Sequence, residues 1–220
     1  MALDCVDTLD LELSSQLADG ARRLSNARLK RLFDVVGASL LLIVLAPFLL
    51  VVACLVRLES PGPAFFRQRR TGLDGVPFTI YKFRTMTVVE DGEVVIQASR
   101  HDCRVTRLGA FLRRSSIDEL PNLFNVLMGQ MSLIGPRPHA LAHDRHYSAL
   151  IPEYNGRFLA KPGITGLAQV AGWRGETPTI DLMSNRVAHD LEYIRNWSLG
   201  LDVAIVFRTL LLGPLDPAAF

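Results

Sequence analysis

The stretch VVGASLLLIVLAPFLLVVACLV, Val35–Val56, decides the architecture of this chain. It runs 22 residues without a charge. A straight α-helix of that length extends about 33 Å, enough to cross the hydrocarbon core of a bilayer. Two features argue against a simple crossing. Arg22, Arg23, Arg28, Lys30 and Arg31 precede the stretch, and Arg57, Arg67, Arg69 and Arg70 follow it. Basic flanks favour one membrane face, so positive charge at both ends suits a segment that enters and returns on the same side. Pro47 stands near the middle, where it removes a helix hydrogen bond and bends the axis. The reading is a re-entrant membrane helix over residues 30–58, with a single span as the alternative. Val51-Val52-Ala53-Cys54 looks like a lipoprotein cleavage box, but an export signal starts near the first residue, and here mostly polar sequence comes first.

Working outward, hydrophobic residues make up 49% and charged residues 21% of the 220-residue chain, a balance that implies one membrane element plus a soluble body. The net charge of +2 gives no polycation for nucleic acid. Cys5, Cys54 and Cys103 are scattered, which excludes a disulfide framework or a zinc cluster and fits a reducing compartment. The histidines show no ligand-like grouping. Residues 1–29, with Asp4, Asp7, Asp10, Glu12 and Asp19, read as a polar tail with too few leucines to build a core. Residues 214–220 read as a second, short tail.

After the apolar run, Pro61-Gly62-Pro63 breaks the helix. Ala64–Arg69 and Pro77–Phe83 then flank a turn containing Asp74-Gly75, the pattern of a β-hairpin with a longer loop. Tyr81-Lys82-Phe83-Arg84 alternates aromatic with basic side chains, as a strand does when one face packs and the other meets anions. Between Arg67 and Arg114 basic residues outnumber acidic ones two to one. Such a segment is either a surface against lipid headgroups or a polyphosphate site, because arginine forks match phosphate oxygens. The chain has no GxxxxGK[ST] loop, which excludes a P-loop nucleotidase.

Arg113–Gly129, RRSSIDELPNLFNVLMG, carries the chemistry. Pro121 suits the first turn of a helix and Gly129 its end, so Asp118 and Glu119 fall at a helix N-terminus, where the peptide dipoles favour negative charge. Ser116-x-x-Glu119 also matches a capping box, in which the pair only satisfies backbone donors. Adjacent carboxylates suit metal-assisted phosphoryl transfer, one attacking phosphorus and one holding Mg²⁺. They do not suit a glycosidase, whose carboxyls flank a sugar ring roughly 5–9.5 Å apart.

Taken in order, Tyr81–Met86 (YKFRTM), Arg104–Pro138 (ending in SLIGPRP), Pro162–Thr177 (PGITGLAQVAGWRGET) and Asp190–Phe207 (DLEYIRNWSLGLDVAIVF) resemble the bacterial sugar transferases, the monotopic phosphoglycosyl transferases. The resemblance runs from Lys30 to Leu212. It implies a mostly α, α+β fold: a re-entrant membrane helix hairpin and a catalytic domain over 59–213, with a β-hairpin and amphipathic surface helices such as Leu199–Leu212. It implies transfer of a sugar 1-phosphate from a UDP-sugar to undecaprenyl phosphate with release of UMP. The setting would be the cytoplasmic face of the bacterial inner membrane, at the first membrane step of exopolysaccharide, O-antigen or other glycoconjugate synthesis. Asp118 would be the nucleophile and Glu119 a ligand of Mg²⁺, with Asp202 joining the metal site. Lys82, Arg84, Arg113, Arg137, Trp173 and Arg174 would bind phosphate or nucleotide, with Glu176 near the pocket.

Bland alternatives stand beside these. The Gly135–Pro138 loop reads equally as a helix terminator, Pro162–Gly166 as a turn serving backbone geometry alone, and Trp173 as an interfacial anchor. The family usually has Ser-Pro at its helix break, where this chain has Ala46-Pro47. The hydroxyl that would bond a carbonyl freed by the proline is therefore missing. The membrane helices that precede the catalytic module in larger relatives have no counterpart ahead of Val35. The GWRGET element favours a hexose 1-phosphate donor. Membrane lipid, downstream glycosyltransferases and a second copy of the chain are the expected partners. The competing classes are a non-catalytic module that binds nucleotide sugars or glycosyltransferases, and a bitopic anchor.

Overall fold

The computed structural model describes residues 2–87, 102–175, 177 and 179–212, with the side chains of 12–211 among them. Glu176 and the tail 214–220 lie outside the described residues. The fold is mostly helical α+β. Its elements are α1 (Ala2–Asn26), α2 (Arg28–Glu59), β1 (Phe65–Thr71), β2 (Pro77–Phe83), α3 (Arg107–Arg114), α4 (Leu123–Leu127), β3 (Ser132–Ile134), α5 (Leu141–Ser148), β4 (Gly163–Thr165), α6 (Leu167–Val170), α7 (Ile180–Arg195) and α8 (Leu199–Leu212). Three 3₁₀ segments, Leu73–Gly75, Ile117–Asn122 and Pro152–Leu159, complete the described elements.

β1 and β2 form an antiparallel hairpin with Phe65 opposite Phe83 and Thr71 opposite Pro77. Its loop reverses through Asp74 and Gly75, both at positive φ (54° and 76°), a conformation that Gly adopts freely and Asp tolerates. β3 and β4 form a short parallel pair. Here the glycines are obligatory: a Cβ on Gly163 would stand 2.1 Å from the Gly135 amide nitrogen. The Pro162–Gly166 turn therefore serves a close backbone approach, which seats the loop that follows β3.

The principal core gathers Tyr154, Met183, Tyr193, Ile194 and Ile205. α1 corrects the expectation of a polar tail. Leu17, Ala21 and Leu24 pack onto this core, Arg23 donates to the Arg195 carbonyl at 2.7 Å, and Gly20 lies against the backbone of α7. Leucines spaced a helical turn apart form a stripe, and a stripe is enough when a neighbour supplies the rest of the core.

α2 is assigned as a single helical run. It stays helical from Arg28 through Ala46 and Pro47 to Glu59, so the proline is not an interruption. A proline inside a helix removes one hydrogen bond and leaves its neighbours to hold the run. One side of α2 is buried at Lys30, Asp34, Ala38, Val52 and Val56, while Leu40, Ile43, Val44, Leu50 and Val51 are exposed. Both ends dock on the same body. Near the N-terminal end, Lys30 Nζ bonds Asp202 at 2.9 Å and the Ile134 carbonyl at 3.1 Å, and Asp34 accepts from the Ser132 hydroxyl and the Leu133 amide. At the other end Glu59 accepts from the Leu108 amide at 2.8 Å, and Val52 and Val56 pack with Phe83 and Leu112. α8 is a surface helix: Asp202 and Ile205 are buried, and Val203, Phe207, Leu210 and Leu211 face outward, giving it an apolar outer side.

Candidate active site

The acid pair is placed by a forced turn. Thr106 caps α3 by accepting from the Gly109 amide at 2.9 Å, and after the helix Ser116 takes a left-handed conformation at φ 57°. That conformation costs a non-glycine residue roughly 1 kcal/mol or more. It swings the chain into the 3₁₀ segment, whose first turn holds Asp118 and Glu119, both buried. The segment is then stitched to the free edge of β2. The Tyr81 amide donates to Asn122 and Asn125, and the Asn125 amide group donates to the Thr79 carbonyl at 2.6 Å. Two asparagines thus act as a substitute third strand, and they bring Lys82 to Glu119.

Glu119 is clamped. Lys82 Nζ lies 2.6 Å from its Oε1, and Arg137 grips both oxygens as a fork, at 2.7 and 3.0 Å. Burial alone would raise the Glu119 carboxyl; Arg137 and Lys82 overcome it and hold the group well below the usual carboxylate range. The capping-box alternative does not hold, because Glu119 faces cations and the Ser116 hydroxyl receives Arg174. The terminator reading of Gly135–Pro138 does not hold either: the loop follows a strand and delivers Arg137 to the acid pair.

Asp118 is the opposite case. Its carboxylate accepts no hydrogen bond from the described residues, and burial pushes it up to about 6, with Glu119 adding to the rise and Lys82, Arg113 and Arg137 opposing it. One carboxylate is bonded to two cations, and its neighbour accepts no hydrogen bond from the described residues. This arrangement presents a single anionic oxygen to an electrophile while cations stand ready for the charge on that electrophile.

Lys82, Glu119 and Arg137 are joined directly, Arg113 acts on Asp118 through its charge, and Arg174 reaches Ser116 at the rim. Trp173 is half-buried, its ring 6.0 Å from that of His189. Two expected ligands are elsewhere. Arg84 is buried and donates to the carbonyls of Val56, Ser60 and Pro61, so it caps the C-terminal end of α2 and has no fork left for phosphate. Asp202 is fully buried and accepts from Lys30, Tyr193 and Trp197, which ties it to α2 and α7 and not to the acid pair. Among the described residues no three His, Cys, Asp or Glu side chains gather around one point.

Beneath the site lies a buried polar cluster absent from the sequence reading: His139, Arg157, Arg186, Asp190, Asp144 and Tyr154. Its sequence signal was slight. Arg186 and Asp190 sit a helical turn apart on the apolar face of α7, among Met183, Val187 and Leu191.

The family of bacterial sugar transferases matches residues 25–213. A UDP-glucose:undecaprenyl-phosphate glucose-1-phosphate transferase of Caulobacter vibrioides is 60% identical over 181 residues, covering 82% of this chain and 68% of that protein. Proteins of the same description from Klebsiella pneumoniae and Escherichia coli K12 are 52% and 53% identical over 195 residues, covering 89% of this chain and 42% of each of those proteins. The chain thus spans about two fifths of the length of these last two relatives.

Proposed function

The chain belongs to the bacterial sugar transferase family, and from that premise we propose that it moves glucose 1-phosphate, or a closely related hexose 1-phosphate, from a UDP-sugar to undecaprenyl phosphate with release of UMP. The observation that carries this reading is the unequal pair: a free Asp118 beside a Glu119 held by Lys82 and Arg137. An oxygen of Asp118 attacks the β-phosphorus of the UDP-sugar. The bond from that phosphorus to the bridging oxygen breaks, and UMP departs with the electron pair. The undecaprenyl phosphate oxygen then attacks the same phosphorus and expels the aspartate, leaving a polyprenyl diphosphate sugar.

Lys82 and Arg137 hold Glu119 in place and carry positive charge to the edge of the diphosphate. Arg174 and Arg113 stand where the substrate enters. Mg²⁺ fits this donor set, since it binds through one or two carboxylates and completes its shell with water and substrate phosphate. Among the described residues Glu119 Oε2 accepts only from Arg137, so Glu119 would hold the ion, which would supply charge neutralisation on the diphosphate.

The test is UMP release from UDP-glucose by the purified protein with Mg²⁺, measured against pH in a single turnover. The nucleophile is the ionised form of Asp118, whose carboxyl is raised to about 6. The first-turnover rate is therefore expected to climb as pH rises through about 6 and to level off above it. A rate flat from pH 5 to 7.5, or no UMP at all, counts against the proposal.

The membrane reading is that α2 dips into the cytoplasmic leaflet and returns. In support, Lys30 near one end of α2 and Glu59 at the other both bond to the same body, while Leu40, Ile43, Val44, Leu50 and Val51 between them are exposed. The outward apolar faces of α2 and α8 form a surface of the kind that lipid covers. Single cysteines placed at Arg28 and at Arg57 are expected to react with an impermeant maleimide from the same side of an oriented vesicle. Labelling from opposite sides would establish a single span instead.

A further inference from the structure

Arg186 is buried to 4% exposure and bonds no carboxylate among the described residues; it donates to the Trp173 carbonyl at 2.8 Å, the Gly175 carbonyl at 2.5 Å and His139 Nε2 at 3.2 Å. Burial, with the charges of Arg137 and Arg157 beside it, pushes it down to about 10. Placing a guanidinium in a core without a bonded anion is costly, so its position calls for a reason beyond packing. What it holds is the loop that carries Arg174, and Arg174 reaches the Ser116 hydroxyl, two residues before Asp118.

Arg157 lies on the other side of the same imidazole. It is buried, its Nε bonds Asp190 at 2.8 Å, one terminal nitrogen lies 3.0 Å from His139 Nδ1, and the other donates to the Arg137 carbonyl at 2.7 Å. Arg137 is the fork on Glu119. His139 is flanked by both guanidiniums, and burial together with those charges keeps it neutral. A neutral ring has one acceptor nitrogen. Tyr154 donates to Asp144 at 2.7 Å, so its oxygen accepts from Nδ1–H at 2.7 Å, Nε2 is left to accept from Arg186, and the Arg157 nitrogen packs beside Nδ1–H without a hydrogen bond to the ring.

We propose that Arg157, Arg186 and the neutral ring of His139 between them form one positioning unit, which sets the two arginine-bearing loops, that of Arg137 and that of Arg174, against the acid pair. None of the three touches substrate. Arg157 acts through Arg137 on the step at phosphorus, and Arg186 acts through Arg174 on capture of the nucleotide sugar. The inference rests on the function proposed above.

The experiment is a UMP burst from UDP-glucose without the polyprenyl acceptor, on full-length protein in nanodiscs. Its amplitude counts folded active sites, its rate constant reports chemistry, and its half-saturating concentration reports binding. Misplacing a catalytic group by about 1 Å costs up to ~100-fold. Arg157→Lys, which cannot span Asp190 and the Arg137 carbonyl together, is expected to lower the rate constant at least about tenfold with little change in half-saturation. Arg186→Lys is expected to raise the half-saturating UDP-glucose at least about tenfold and leave the rate constant within about threefold. His139→Gln, whose amide both accepts and donates, should retain about ten times more of the rate constant than His139→Leu. If the variants change only the amplitude, or if both arginine variants shift the same constant, the positioning unit is refuted. A wild-type protein without a burst refutes the underlying function instead.

Discussion

Asp118→Asn is expected to abolish UMP release and to raise the melting temperature at neutral pH. The two effects have one origin. Asp118 is a carboxylate buried beside a second carboxylate, with no hydrogen bond from the described residues, and its carboxyl is raised from 3.8 to about 6. A raised acid penalises the folded state once it ionises: the penalty is absent below the unfolded value, grows between that value and about 6, and is complete above. Asparagine fills the same space and carries no charge, so well above pH 6 it relieves a strain on the order of 3 kcal/mol; below pH 4 it relieves none. The catalytic loss is on the order of 10⁴-fold or more, as for removal of other covalent nucleophiles, because an amide oxygen forms no stable phosphoryl intermediate. A misfolded variant would lose activity and stability together. The matched measurement is a phosphosugar adduct by mass spectrometry, present on a trapped wild-type turnover and absent from the variant, alongside thermal melts at pH 4 and 7.5. An asparagine variant that still turns over would remove Asp118 from the chemistry.

Much of this site could be read along the chain because its parts are local. The hairpin follows from two apolar runs around Asp74-Gly75, and the acid pair follows from residues within one turn of Pro121. Arg84 shows where such reading ends. It lies two residues after Lys82 in an alternating basic strand, and nothing in that spacing separates a lysine that meets a carboxylate from an arginine that caps a helix. The difference depends on the end of α2, more than twenty residues earlier in the chain. Asp202 is the same problem at greater distance, since its partner Lys30 is 172 positions away. Charge in a sequence reads as solvated or catalytic by default; a carboxylate buried against a lysine becomes visible only once helices from both ends of the chain meet.

Lys30→Met is expected to destabilise the protein by about 3–5 kcal/mol, the usual consequence of breaking a buried ion pair from one side. The pair is closed to water: the Lys30 side chain is 7% exposed and that of Asp202 is 0%. Methionine leaves Asp202 with only the neutral donors of Tyr193 and Trp197, and leaves Asp34 without the cation 4.0 Å away. For a chain of this size each kcal/mol moves the melting temperature roughly 2–4 °C, so a fall of about 10 °C is expected. Because the Ile134 carbonyl takes bonds from both Lys30 and Tyr193, and Ile134 leads directly into Gly135, Pro136 and Arg137, the change also loosens the fork on Glu119. Activity per folded molecule should therefore fall as well, while Leu29→Ala, at an exposed neighbour, changes neither quantity. Lys30→Met combined with Asp202→Leu should recover part of the stability, since removing both charges avoids the uncompensated anion. It should recover little of the activity, because the Ile134 carbonyl still lacks the lysine. A double variant that restores both in full would mean that α2 is tied to the body by packing alone, and that the lysine has no hold on the loop of Arg137.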